Sequence, residues 1–199
     1  MWVVISGPPG TSKNKIAEIL IKYGFEYLSH RVLPNDDKSV FDRELGYLVD
    51  RAVNQIDIER RPKSKIVTVR SFWDFDVYGR VLSKRTVLSP GEYEILKTHV
   101  YEPFLEVLKP PDFFIFLNCQ DKMASFNRMM LESNVINQEY FFDLVDAYDE
   151  FRGKLTVPVI EVEHGSNVED VMSQVEFGLS SIASTGVATE TIWSKGVFK

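Results

Sequence analysis

Residues 3–20, VVISGPPGTSKNKIAEIL, decide the fold, because an apolar run, a Gly/Pro-rich turn carrying a lysine and an amphipathic run follow without a gap. That order is strand, loop, helix. The eight positions Gly7, Pro8, Pro9, Gly10, Thr11, Ser12, Lys13 and Asn14 fit the pattern Gly-x4-Gly-Lys-Ser/Thr at six places. Ser12 stands where the second glycine falls, in backbone that often needs positive φ, and Asn14 stands where the hydroxyl falls. In such a loop successive N–H groups turn inward around an anion, the next helix offers its positive N-terminal end, and the lysine adds a point charge. The stretch reads as a cradle for nucleotide phosphates, with Lys13 on the phosphates and Asn14 offering an amide oxygen to Mg²⁺.

Composition bounds the rest. A chain of 199 residues that is 44% hydrophobic and 13% aromatic can bury one sizeable core. Its single cysteine, Cys119, sits in an apolar run and excludes an internal disulfide framework, so a reducing compartment is expected. No apolar run is long enough to span a bilayer and the N-terminus enters a strand at once, which predicts a cytoplasmic protein with no membrane partner. A net charge of −6 argues against a broad duplex-DNA footprint, and Arg60-Arg61-Pro62-Lys63 reads as a solvated loop.

Outward from the opening stretch the chain alternates. Strands are expected at 25–29, 65–69 (KIVTV), 112–117 (DFFIFL) and 157–162 (VPVIEV), and helices at 39–58, 89–107, 121–131, 137–151 and 169–182. Ser89-Pro90 supplies an N-cap and a first-turn proline. The residues from Ala183, rich in Ser, Thr and Gly, read as a loosely held tail (183–199) after one domain (1–182). Buried strands alternating with helices predict an α/β fold, a parallel sheet covered on both faces, with ligands beyond the carboxyl ends of the strands. The loops there are the phosphate loop, 31–37, 70–76 and 118–122, converging on one rim.

Over about residues 1–180 the chain resembles the P-loop deoxynucleoside kinase and thymidylate kinase group, with a divergent viral member as one reading. Arg70-Ser71 after KIVTV resembles the family's Glu-Arg-Ser or Asp-Arg motif, and LSPGEYEILKTHVYEPFLEVLKPPDFFIFLNC its long helix and Pro-Asp strand. Residues 123–151 have the spacing of its lid, with Arg128 at a lid-arginine position and Tyr140, Phe141, Ala147 and Tyr148 on the following helix. The resemblance implies a three-layer P-loop kinase fold and ATP- and Mg²⁺-dependent phosphoryl transfer to a deoxynucleoside or its monophosphate, in the cytoplasm (the host's, for a virus). A homodimer through the helix after Ser89 is also implied. Val69 replaces the family's acidic residue, Arg31-Val32-Leu33-Pro34 its Glu-Pro element, and Glu132 the second lid arginine.

Phosphoryl transfer needs chiefly positioning and charge stabilisation. Lys13, Arg70, Asp74 and Arg128 are therefore the candidate catalytic residues, with Asp74 the first choice for a base or Mg²⁺ ligand ahead of Asp36, Asp37 and Asp76. Arg31, Tyr47, Arg51 and Trp73 are the candidate substrate contacts. Tyr47 and Arg51 lie one helical turn apart, and Trp73 reads either as a base-stacking wall or as core. His30, His99 and His164 have no ligand spacing and no expected metal role. Two alternatives stand beside the small-molecule kinase: a nucleotide-binding relative without turnover, and a kinase of a modified base in DNA.

Overall fold

Every residue of β1, Trp2–Ser6, is buried, so this strand needs cover on both faces. The computed structural model describes residues 1–30, 38–61, 64–132, 137–163 and 168–184. It places β1 at the centre of a sheet ordered β2-β3-β1-β4-β5, where β2 is Glu26–Tyr27, β3 Ile66–Val69, β4 Phe113–Asn118 and β5 Val159–Glu163. The pairings are all parallel.

Parallel neighbours require crossovers, and helices supply them. They are α1 (Lys13–Lys22), α2 (Val40–Glu59), α3 (Phe75–Lys84), α4, α5 (Lys122–Glu132), α6 (Gln138–Lys154) and α7 (Val168–Ser184). The helix α4 runs through Pro90–Leu96, a π-helical turn Lys97–Tyr101 and Glu102–Val107. Pro103 has no N–H to return to the carbonyl four residues earlier, and the ladder widens just before it.

Strand periodicity divides the core in two. Val3, Ile5, Val67, Phe113 and Ile115 face α1 and α7, meeting Ile16, Leu20, Val171 and Val175. Trp2, Val4, Ile66, Phe114 and Phe116 face the other layer, where α2, α3, α4 and α6 contribute Leu48, Val77, Leu96 and Tyr148. The sheet covered on both faces is the architecture the sequence predicts.

Three details differ from expectation. Residues 70–76 are not all loop: a 3₁₀ turn, Phe72–Asp74, leads straight into α3, which the sequence reading omitted. Gly79 at its centre is a packing residue, since a Cβ there would lie 2.7 Å from the Phe75 ring. The second strand is only two residues long, and the last helix continues through Ser184. The remainder of the expected tail, 185–199, lies outside the described residues. Among those described, no helix is long and apolar enough to cross a membrane.

The topology fixes where a ligand belongs. From β1 the chain crosses to β2 and β3 on one side and only later to β4 and β5 on the other. The carboxyl end of β1, where the loop of Gly7 emerges, is thus a topological switch point with a crevice beside it.

Candidate active site

The phosphate loop is shaped by its glycines. Gly7 has φ 136°, and a Cβ on it would lie 2.6 Å from the Leu117 carbonyl oxygen of β4, so only glycine lets the loop leave β1 here. At Gly10, φ is 73° and a Cβ would come within 3.0 Å of the Met129 Cβ; α5 sits directly on the loop. Ser12, in the second glycine position, has φ 58°, the left-handed conformation expected there. Lys13 opens α1 and is 8% exposed. Its Nζ donates to the carbonyls of Gly7 (2.9 Å) and Pro8 and to Thr11 Oγ1 (3.2 Å), while the Thr11 hydroxyl donates to the Pro8 carbonyl (2.7 Å). Burial, then the nearby Arg70, push the Lys13 pKa well below its ordinary value, with Asp74 opposing. Pro9 is half-buried, and Asn14 is exposed in the first turn of α1.

Beyond β3 the chain turns sharply. The Arg70 N–H donates to the Ile5 carbonyl at 2.8 Å, extending the β1–β3 ladder by one residue, and φ 66° at Arg70 then turns the backbone. Asp74 holds this turn. Its Oδ2 accepts from the Ser71 N–H (2.7 Å) and hydroxyl (3.0 Å), and its Oδ1 from Ser6 Oγ (2.8 Å) and Tyr148 OH (2.9 Å). A carboxylate has about four lone-pair sites, and here four donors occupy them on a residue that is 0% exposed. This corrects the expectation of a base or Mg²⁺ ligand: Asp74 is an anchor beneath the cleft that ties β1, the turn and α6 together. Of the two readings open for Trp73, the structure takes the core one. Its ring is fully buried, 5.9 Å from Trp2 and 6.3 Å from Phe72 between centroids, so it belongs to the core rather than to a base-stacking wall.

The opposite wall comes from α2. Arg51 lies over the Tyr47 ring, 5.6 Å from its centroid, which puts both on one helix face as their spacing requires. The Arg70 guanidinium lies 4.7 Å over the Tyr78 ring of α3. The Nε atoms of Arg51 and Arg70 are buried without a hydrogen-bond partner, and the Tyr78 hydroxyl meets that of Tyr148. His30 closes the floor: its Nε2 donates to the Arg70 carbonyl (3.1 Å) and its Nδ1 accepts from Asn54 (3.1 Å), the arrangement of a neutral ring with the proton on Nε2. Burial and then Arg51 lower the His30 pKa, against the Arg70 hydrogen bond, Asp50 and Asp74. Glu44, one turn before Tyr47 and Leu48, has its carboxyl pKa raised by burial, with Arg51, Arg43 and Arg70 pulling it down.

Arg70 lies near enough to Lys13 to lower its pKa, Arg51 and Arg70 both act on the Glu44 carboxyl, and Tyr47 lies under Arg51, whereas Asp74 and Trp73 are fully buried. Arg128 is half-buried on α5, next to the Met129 that meets Gly10. Asp76 is engaged with Arg80 (4.0 Å) and Lys154 (3.3 Å). Arg31, Asp36 and Asp37 lie outside the described residues. Sequence reasoning missed Glu44 and the structural part of His30. Glu44 precedes Arg51 by seven residues, the two-turn helical repeat, and that spacing could have found it.

No family model matches the chain, and comparison with curated proteins finds no relative. Among solved structures, deoxyadenosine kinase from M. mycoides with bound dATP superposes with a TM-score of 0.76 at 21% identity, over 90% of this chain and 100% of that one. The same kinase with the products dCMP and a flexible dCDP gives 0.69 at 19% identity, and with dCTP 0.61 at 18%, each over 91% of this chain and 100% of the other. A likeness at this identity is one of architecture: the chain has the fold of the P-loop deoxynucleoside kinases.

Proposed function

We propose that this chain transfers the γ-phosphoryl group of ATP to a nucleoside or a nucleoside monophosphate. The observation that carries the reading is the loop at the β1 switch point, where Gly7 is pressed against β4 and Lys13 turns inward beside Arg70. The fold neighbours support it, being structures of a deoxyadenosine kinase with nucleotides bound. In this reading the loop amides and Lys13 hold the β- and γ-phosphates, and the N-terminus of α1 adds its dipole. Asn14 offers its side-chain oxygen to Mg²⁺, which neutralises phosphate charge when bound. Arg70 orients the acceptor against the γ-phosphorus, and Arg128 meets charge on the transferred group.

A panel of nucleosides and monophosphates with labelled ATP and Mg²⁺ tests this, product formation being the expected result. Lys13→Ala weakens ATP binding by about 10- to 100-fold, the loss of a charge-assisted contact of about 1.5–3 kcal/mol. Unchanged affinity of this variant in calorimetry rejects the assignment of the loop. A nucleotide-binding protein without turnover is the second reading, favoured by the withdrawal of Asp74 from the cleft; ATP bound but transferred to no acceptor decides for it.

A further inference from the structure

Asp74 is fully buried, and the groups that bond it are all neutral: the Ser71 N–H and hydroxyl, the Ser6 hydroxyl and the Tyr148 hydroxyl. Neutral donors spread a carboxylate's charge without cancelling it, and in a low-dielectric interior that charge polarises the hydrogen bonds attached to it. One of the four leads onward. Tyr148 has a single proton and gives it to Asp74 at 2.9 Å, so the proton between the Tyr148 and Tyr78 hydroxyls belongs to Tyr78. The two rings meet edge to face, 6.0 Å between centroids at 86°, and the Arg70 guanidinium lies 4.7 Å from the centroid of the Tyr78 ring. A continuous line thus runs from Asp74 through Tyr148 of α6 and Tyr78 of α3 to Arg70.

We propose that Tyr78 and Tyr148 are positioning residues that carry the charge of Asp74 to the underside of Arg70 and hold its guanidinium in place for the acceptor. The inference rests on the phosphotransferase reading, in which Arg70 orients the acceptor. A phenol that donates into a chain ending on a carboxylate has a more electron-rich ring, and the face of that ring attracts a cation. Burial keeps both hydroxyls protonated, so the chain of donors stays whole. The support matters because the Arg70 Nε is buried without a partner: nothing at Nε fixes the direction of the fork, and the ring beneath it does. Asp74 has a second grip on the same arginine, since through Ser71 it holds the backbone next to Arg70 and through Ser6 the last residue before Gly7. One buried charge therefore sets the backbone and the side chain of Arg70 relative to the phosphate loop without entering the cleft.

Steady-state kinetics of the full chain with Mg²⁺ and ATP, and with deoxyadenosine, deoxycytidine and their 5′-monophosphates as acceptors, test the proposal; circular dichroism verifies that each variant folds. Tyr78→Leu removes the ring face and is expected to raise the acceptor KM on the order of 10-fold, with ATP affinity in calorimetry unchanged. Tyr78→Phe keeps the ring but cuts it from Tyr148, and Tyr148→Phe cuts the same line one step nearer Asp74, so each raises KM by a smaller factor and the two together do no more than either alone. Tyr78→Leu added to Arg70→Ala has no further effect on KM. A folded Tyr78→Leu with unchanged acceptor KM overturns the proposal and leaves the kinase reading intact, as does additivity of the two Phe substitutions, which marks independent packing roles. Should the wild type phosphorylate none of these acceptors, the kinase reading falls and proton NMR of the Arg70 Nε–H, assigned by its absence from Arg70→Ala, decides on the positioning. The Tyr78 ring face is expected to shift this signal upfield, Tyr78→Leu to abolish the shift and Tyr148→Phe to reduce it; a signal that either substitution leaves in place overturns the proposal.

Discussion

A serine held at φ 58° carries a backbone cost of about 1–2 kcal/mol that glycine escapes, against about 0.5–1 kcal/mol for glycine's greater freedom when unfolded. Ser12→Gly is therefore expected to raise stability by about 0.5–1 kcal/mol in urea denaturation. Asp74→Asn acts in the other direction. It replaces one acceptor oxygen by an NH₂ group facing donors and removes a buried charge, at a cost of about 2–4 kcal/mol in the same assay; a catalytic base would instead lose turnover with stability unchanged. The signals for Gly7, Gly10 and Lys13 were legible because their spacing encodes a backbone shape. That of Asp74 was misleading and that of Trp73 left wall and core open, because spacing marks a residue as near the third strand's end without saying whether its side chain turns to the cleft or to the core. His30 gives a pH signature. Burial and then Arg51 depress its folded pKa, while the unfolded ring protonates near ~6.5, so its contribution is complete above that value and is lost as pH falls toward the folded pKa. His30→Gln keeps a donor for the Arg70 carbonyl without titrating, and melts between pH 7.5 and 5.5 are expected to show a shallower acid loss than wild type.

Among the elements, α4 was legible from its start because Ser89 and Glu92 form a reciprocal cap, the Ser89 N–H donating to Glu92 at 2.9 Å and the Glu92 N–H to Ser89 Oγ at 3.3 Å. Its π-helical turn was not, since nothing in an apolar repeat announces where a ladder slips by one residue. The helix α3 carries a glycine at its centre. Gly79→Ala raises intrinsic helix propensity by about 1 kcal/mol, yet its Cβ would lie 2.7 Å from Phe75 Cζ, and that ring is itself buried. Overpacking prevails, and the variant is expected to lose about 1–3 kcal/mol net in urea denaturation; a gain would mean that Phe75 moves aside freely. The effect matters for the site because α3 carries Tyr78 under Arg70 and is joined to α6 by Arg80–Glu150 (2.6 Å) and Lys84–Asp143 (2.8 Å). Exposed pairs of this kind contribute little energy individually, but they fix how the tyrosines of the two helices meet beneath the cleft.

At the scale of the molecule, the alternation of buried strands and helices made a parallel sheet legible, whereas the order β2-β3-β1-β4-β5 is not written in any one segment. It follows from the resemblance of the whole chain to a known fold. That order sets the phosphate loop between the two hydrophobic layers: Gly7 abuts Leu117 of β4, α1 beyond the loop packs into one layer, and Ser6 before it bonds Asp74 within the other. A ligand seated in the loop thus engages groups whose positions depend on both cores, and its binding energy adds to the stability of the entire fold. Under the proposed function, ATP at about 100 times its dissociation constant adds about 2.7 kcal/mol to unfolding, which for a domain of about this size raises the melting temperature by roughly 5–11 °C. Scanning calorimetry of wild type and Lys13→Ala at several ATP concentrations checks this. The wild-type transition is expected to move upward as a single step with the logarithm of free ATP, and the variant to need about 10- to 100-fold more nucleotide for the same shift. An ATP-independent transition in the wild type removes the basis for a nucleotide site. A shift confined to one of two separate transitions would show that the layers unfold independently, contrary to a loop anchored in both.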